Sequence, residues 1–122
     1  MLKRLPDAEF EVMKIVWNND PPITTLQIMG QLGSKKEWKP QTVLTMLARL
    51  IKKGFLQSER VGRERNYTPA ICEQEYMHIE TEDFMNRYRG NSLGSLVKAL
   101  YDDHSLSEED LRALKDWFAE RT

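Results

Sequence analysis

Between residues 39 and 65 the chain gathers side chains suited to contact with a polyanion. Gln41, Thr42, Thr45, Arg49 and Lys52 recur at spacings of three, four and seven, so on a helix they form one polar stripe. Two threonines are poor choices for a merely solvated helix face, where Glu, Lys and Ala have better propensity. Short hydroxyls beside an arginine suit base edges instead. Lys39 precedes the stripe, and Arg60, Arg63 and Arg65 cluster around Gly62 further on, where they would track phosphates or enter a minor groove. From Lys35 to Arg65 nine basic residues face three acidic ones, a local balance of +6. Such a segment is the electrostatic footprint of a nucleic-acid partner, and its bland alternative is a solvated surface.

Other chemistry has little to stand on. His78 and His104 are the only histidines, Cys72 is the only cysteine, and no glycine-rich phosphate loop is present. An enzyme active site, a metal cluster and a cofactor are therefore not expected. Asp102-Asp103-His104 reads as a polar turn, and Cys72 as a small buried residue. The longest stretch without charge, Pro21 to Ser34, is too short and too polar to span a bilayer, and the first residues have no apolar leader segment. A cytoplasmic protein without direct membrane insertion is expected.

The elements that must position the basic residues follow from patterning. Residues 7–18 read as a helix through Phe10, Met13, Val16 and Trp17, capped by Asp7 and ended by Asp20-Pro21-Pro22. Thr24-Thr25-Leu26-Gln27 fits a capping box, with Ile23 and Ile28 as its hydrophobic staple, for a short helix that stops at Gly33 and buries Ile28, Met29 and Leu32. Pro40 suits a first helical position, and Gln41 to Lys53 runs as a helix to the stop at Gly54. Its apolar face is Val43, Met46, Leu47, Leu50 and Ile51. Residues 55–60 and 65–68 read as two strands of a hairpin turning at Gly62.

The balance of charge changes sign after Cys72: residues 1–72 hold 12 basic and 7 acidic side chains, residues 73–122 hold 6 and 12. The acidic half reads as three helices, over 73–88, 93–101 and from the cap Ser107 onward, interrupted at Arg89-Gly90-Asn91. In them Tyr76, Ile79, Phe84, Tyr88, Leu96, Val97, Leu100, Leu111, Leu114, Trp117 and Phe118 are more apolar surface than three short helices can bury alone. A second subunit is the expected cover, and these residues are the candidate dimerisation set.

Helix, short helix, helix, hairpin is the order of a winged helix-turn-helix, whose third helix enters the major groove and whose hairpin lies along the backbone. The fold class expected is mainly α with a small β-hairpin: a winged helix-turn-helix DNA-binding domain over residues 1–72 and a C-terminal helical dimerisation region over 73–122. Lys39, Gln41, Thr42, Thr45, Arg49, Lys52, Arg60, Arg63 and Arg65 are its candidate DNA contacts. A homodimer would read a palindromic site in double-stranded DNA, each recognition helix taking one half. The rival reading is a winged-helix protein-interaction module without DNA binding.

The residues also carry a resemblance. Leu5-Pro6-Asp7-Ala8-Glu9-Phe10-Glu11-Val12-Met13 through Trp17, Trp38-Lys39-Pro40-Gln41-Thr42-Val43 through Leu47-Ala48-Arg49-Leu50, Lys52-Lys53-Gly54-Phe55 and Tyr67-Thr68-Pro69 resemble the penicillinase and methicillin-resistance repressors (BlaI/MecI type), as does Ser107-Glu108-Glu109-Asp110-Leu111 near the end. The resemblance implies a homodimeric winged-helix repressor, released when a membrane-bound sensor peptidase signals a β-lactam, with Gln41, Thr42, Thr45 and Arg49 on its DNA-reading face. Lys39 and Leu44 stand where the best-known members have serine and arginine, so the operator does not carry over. Ala99-Leu100 aligns with the Asn-Phe bond cut in those members during induction. Copper sensing through a Cys-rich tail, as in some relatives, is not expected.

Overall fold

The computed structural model describes residues 2–32, 37–90 and 92–121; the expected stop at Gly33, the charges of Lys35 and Lys36, and Asn91 lie outside them. In chain order the elements are α1 (Asp7–Trp17), β1 (Ile23–Thr24), α2 (Thr25–Leu32), α3 (Pro40–Lys52), β2 (Leu56–Val61), β3 (Glu64–Pro69), α4 (Glu73–Arg87), α5 (Leu93–Asp102) and α6 (Glu108–Arg121). The chain divides into two compact units, Met1–Met85 and Asn86–Thr122.

Local signals set most helix ends. Thr24 Oγ1 accepts from the Gln27 backbone N–H at 3.2 Å while Gln27 Oε1 accepts from the Thr24 N–H at 2.8 Å, the reciprocal capping box expected there. Ser107 and Asp110 do the same for α6. Pro40 opens α3 after an extended Lys39. At its other end Gly54 takes φ +90°, with its own N–H bonded to the Ile51 carbonyl and the Phe55 N–H to that of Leu50. That is a Schellman closure with glycine in the left-handed position it favours. Asp7 does not cap α1: Pro6 occupies the cap position, and Asp7 is the first helical residue.

The first unit packs α1, α2 and α3 on one side of a three-stranded antiparallel sheet ordered β1-β3-β2. The sequence pattern gave two strands; β1 is the third, pairing Ile23 with Tyr67 and Thr24 with Asn66. Val12, Met13 and Val16 from α1, Ile28 and Leu32 from α2, Val43, Leu47 and Leu50 from α3, and Phe55, Leu56 and Tyr67 around the sheet form the core.

Tyr76 corrects the expected division of the chain. Its ring is 1% exposed and packs against Phe10, Trp17 and Phe55, with centroids 5.4 to 5.7 Å away. Its hydroxyl accepts from the Leu5 N–H at 2.7 Å and donates to Glu80 Oε1 at 2.6 Å, while Arg4 Nε donates to Glu80 Oε2 at 2.9 Å. Burial, and then the bond to Glu80, push the Tyr76 hydroxyl pKa up to about 12. Tyr76 is thus a core residue of the winged helix and not a dimer contact, and Ile79 packs partly against the same core. The first unit continues past Cys72 because the first turns of α4 are anchored in it. Cys72 itself is exposed, contrary to expectation, and caps α4: the Glu75 N–H points to its sulfur at 3.5 Å, and its own N–H to Glu75 Oε1 at 3.3 Å.

Candidate nucleic-acid interface

The buried side of α3 is Val43, Leu47 and Leu50, so the helix is held by one apolar stripe and presents the opposite stripe to solvent. Gln41, Thr45, Arg49 and Lys52 are exposed there, as is Lys39 just before the helix, while Thr42 at the margin is half-buried. A shallow groove of about 350 Å³ runs over this face between Gln41, Leu44, Thr45, Ala48, Arg49 and Lys52. Ala48 was not singled out from sequence, and Leu44 only as a departure from the related repressors, although their spacing of four places them on the same face. The Thr45 hydroxyl, expected to be free for a base edge, donates to the Gln41 backbone carbonyl at 2.9 Å. Lys53, at the cap, donates to Glu9 Oε1 at 2.6 Å, and Glu9 is 4% exposed. This ion pair ties the end of α3 to α1.

The register of β2 and β3 sorts the charges of the wing. Leu56, Ser58 and Arg60 share a face with Tyr67 and Arg65, because Ser58 pairs with Tyr67 and Arg60 with Arg65. Toward the base this face is buried; beyond the core it carries the two arginines. Glu59 and Glu64 alternate onto the other face. Arg65 Nη1 donates to Ser58 Oγ at 2.9 Å across the strands, and Arg63 stands with Gly62 (φ +66°) in the two-residue turn. Arg60 directly opposite Arg65 is a like-charge pair, which destabilises a sheet unless something negative lies over it. Among the described residues Arg49, Lys52, Arg60, Arg63 and Arg65 have no carboxylate within ion-pair distance.

Among its described residues the second unit buries no side chain fully. In α5 and α6, Leu96 and Leu111 are half-buried, and Val97, Leu100, Leu114, Trp117 and Phe118 are exposed. A groove of about 670 Å³ lies between Leu106, Asp110, Ala113, Leu114, Trp117 and Phe118. Tyr88, in this unit, and Phe84, in the first, are each about two-fifths exposed.

Three helices, a short strand and a two-stranded wing define the winged-helix DNA-binding fold, here followed by further helices. The chain belongs to the Penicillinase repressor family, whose sequence profile matches residues 5–120, and this is a family of transcriptional repressors and not of enzymes. It is 38% identical to the penicillinase repressor of Bacillus licheniformis over 93% of this chain and 90% of that one. To the methicillin resistance regulatory protein MecI of Staphylococcus aureus it is 26% identical, over 92% and 90%. A solution structure of monomeric Bacillus licheniformis BlaI in complex with the blaP half-operator superposes with a TM-score of 0.54 and 42% identity, covering 62% of this chain and 92% of that one. A MarR protein from Peptoclostridium difficile, at 14% identity and TM-score 0.51, shares the fold. Among the described residues no helix is long and apolar enough to cross a membrane.

Proposed function

We propose that this chain is a homodimeric, sequence-specific repressor that works in the cytoplasm, holds a palindromic operator in double-stranded DNA, and controls a β-lactam-response or related promoter. Lys39, Gln41, Thr42, Thr45, Arg49 and Lys52 meet the major groove, and Arg60, Arg63 and Arg65 the adjacent backbone. The observation that carries the reading is the wing: Arg60 opposite Arg65 is a like-charge pair that a polyanion would relieve, and the unpaired cations of α3 share the same chain segment. The blaP half-operator complex of the related BlaI supports DNA as that polyanion.

Pairing of subunits falls to α5 and α6, through Leu96, Val97, Leu100, Leu111, Leu114, Trp117 and Phe118, with Phe84 and Tyr88 as further candidate contacts. Loss of this pairing, on a signal from a membrane sensor peptidase, ends repression. Selection of duplexes from a random pool tests the whole reading. An inverted repeat should emerge, bound with a steep log-log dependence on salt. Recovery of single half-sites by a chain that sediments as a monomer would remove the dimer, and recovery of no sequence at all would remove the operator.

A further inference from the structure

The exposed side of α3 is not uniformly polar. Ala48 lies near its centre and Leu44, 42% exposed, at its margin, one turn apart and adjoining Thr45. Because the Thr45 hydroxyl is turned back onto the Gln41 carbonyl, the group this residue has left to offer is its methyl. Three apolar groups are thus clustered on one face and bordered by Gln41, Arg49 and Lys52. A single exposed leucine needs no explanation, but here the border is cationic and amide, complementary to a nucleic-acid surface. On the major-groove edge of a base pair the apolar group on offer is the C5-methyl of thymine.

We propose that Leu44, Ala48 and the Thr45 methyl form a thymine-reading patch, so that each half-site carries a thymine under this part of α3. The inference rests on the reading that α3 enters the major groove, and it names what the helix selects there. Thr45 acts through its methyl, and its hydroxyl serves the helix.

Deoxyuridine differs from thymidine only by that methyl, which makes it the probe. With the full chain and a duplex selected from a random pool, each thymine of the half-site is replaced in turn. At the position under the patch, affinity should fall about three- to fivefold, the value of one methyl kept from water. Leu44→Ala should weaken binding to the thymine duplex and shrink the thymine-to-deoxyuridine ratio toward one. Thr45→Val should keep the parent's ratio, and Thr45→Ser should lower it. Leu44 and Thr45 are both exposed, and far-UV circular dichroism of each variant checks that the fold is unchanged. Tight binding that is indifferent to deoxyuridine at every position, or a Leu44→Ala variant with the parent's ratio, would overturn the patch and leave the DNA reading standing. Failure to bind any duplex would overturn that reading and the patch with it.

Discussion

Arg60 gives stability and function opposite signs. Replacing it with Gln removes the repulsion across the wing, so the free protein should unfold at an equal or higher denaturant concentration, by up to about 1 kcal/mol. The same variant should bind every duplex more weakly and flatten the log-log salt dependence by about 0.9 for one lost phosphate contact. A loss of stability in chemical denaturation would show that Arg60 is held by the fold and not kept for a partner. Tyr76 makes a prediction about pH. Its folded pKa is raised from 10.0 to about 12, so the folded state keeps a proton that the unfolded chain gives up, and stability should decline as pH rises from about 10 toward about 12. Tyr76→Phe should remove that decline, while costing about 1 to 3 kcal/mol at neutral pH because the buried Leu5 N–H loses its acceptor. Denaturation series at pH 8 and above, for parent and variant, decide it.

At the scale of elements, two helix ends form a natural comparison. Helix α3 closes on Gly54 at φ +90°, and α5 closes in the same hydrogen-bond pattern on His104 at φ +58°. Gly54→Ala should therefore cost about 1 kcal/mol or more, since the left-handed backbone is strained for alanine and the new Cβ would lie 3.3 Å from Leu2 Cδ2. His104→Gly should stabilise by several tenths of a kcal/mol up to about 1, the relief of strain being partly offset by a more flexible unfolded chain. Thermal melts of the two variants should move in opposite directions. What the sequence revealed divides along the same line between local and distant causes. Capping boxes at Thr24 and Ser107, Pro40 and Gly54 act within four residues and were legible. Strand β1 was not, because two residues show no period and exist as a strand only through Tyr67 and Asn66, more than forty positions away. Helical spacing likewise told that Tyr76 faces something, and not that it faces Phe10, Trp17 and Phe55. Of the candidate interface, the polar stripe and the basic wing were readable from charge and period. The turned-in Thr45 hydroxyl and the Glu9–Lys53 pair were not, since both depend on which rotamer and which neighbour the fold provides.

For the whole molecule, the place to divide the chain is after Met85 and not after Cys72. A fragment ending at Cys72 removes Tyr76 from the core and should be markedly less stable than one ending at Met85. The longer fragment should remain monomeric and lose on the order of a hundredfold in affinity for a palindromic duplex, because the second half-site is no longer reached intramolecularly. Sedimentation and titration of the two fragments beside the intact chain test this. A monomeric full chain would refute the role given to α5 and α6. The sorted charges of the wing have a further consequence at this scale. With Arg60 and Arg65 on one face and Glu59 and Glu64 on the other, the hairpin has a dipole across its thickness. On the proposed DNA reading, that dipole would feel a torque in the field of a duplex, turning encounters arginine-side inward before contact and favouring rapid, correctly oriented association at low salt. By the same reading, the carboxylates of Glu59 and Glu64 would make the opposite face of the wing unfavourable to a second duplex.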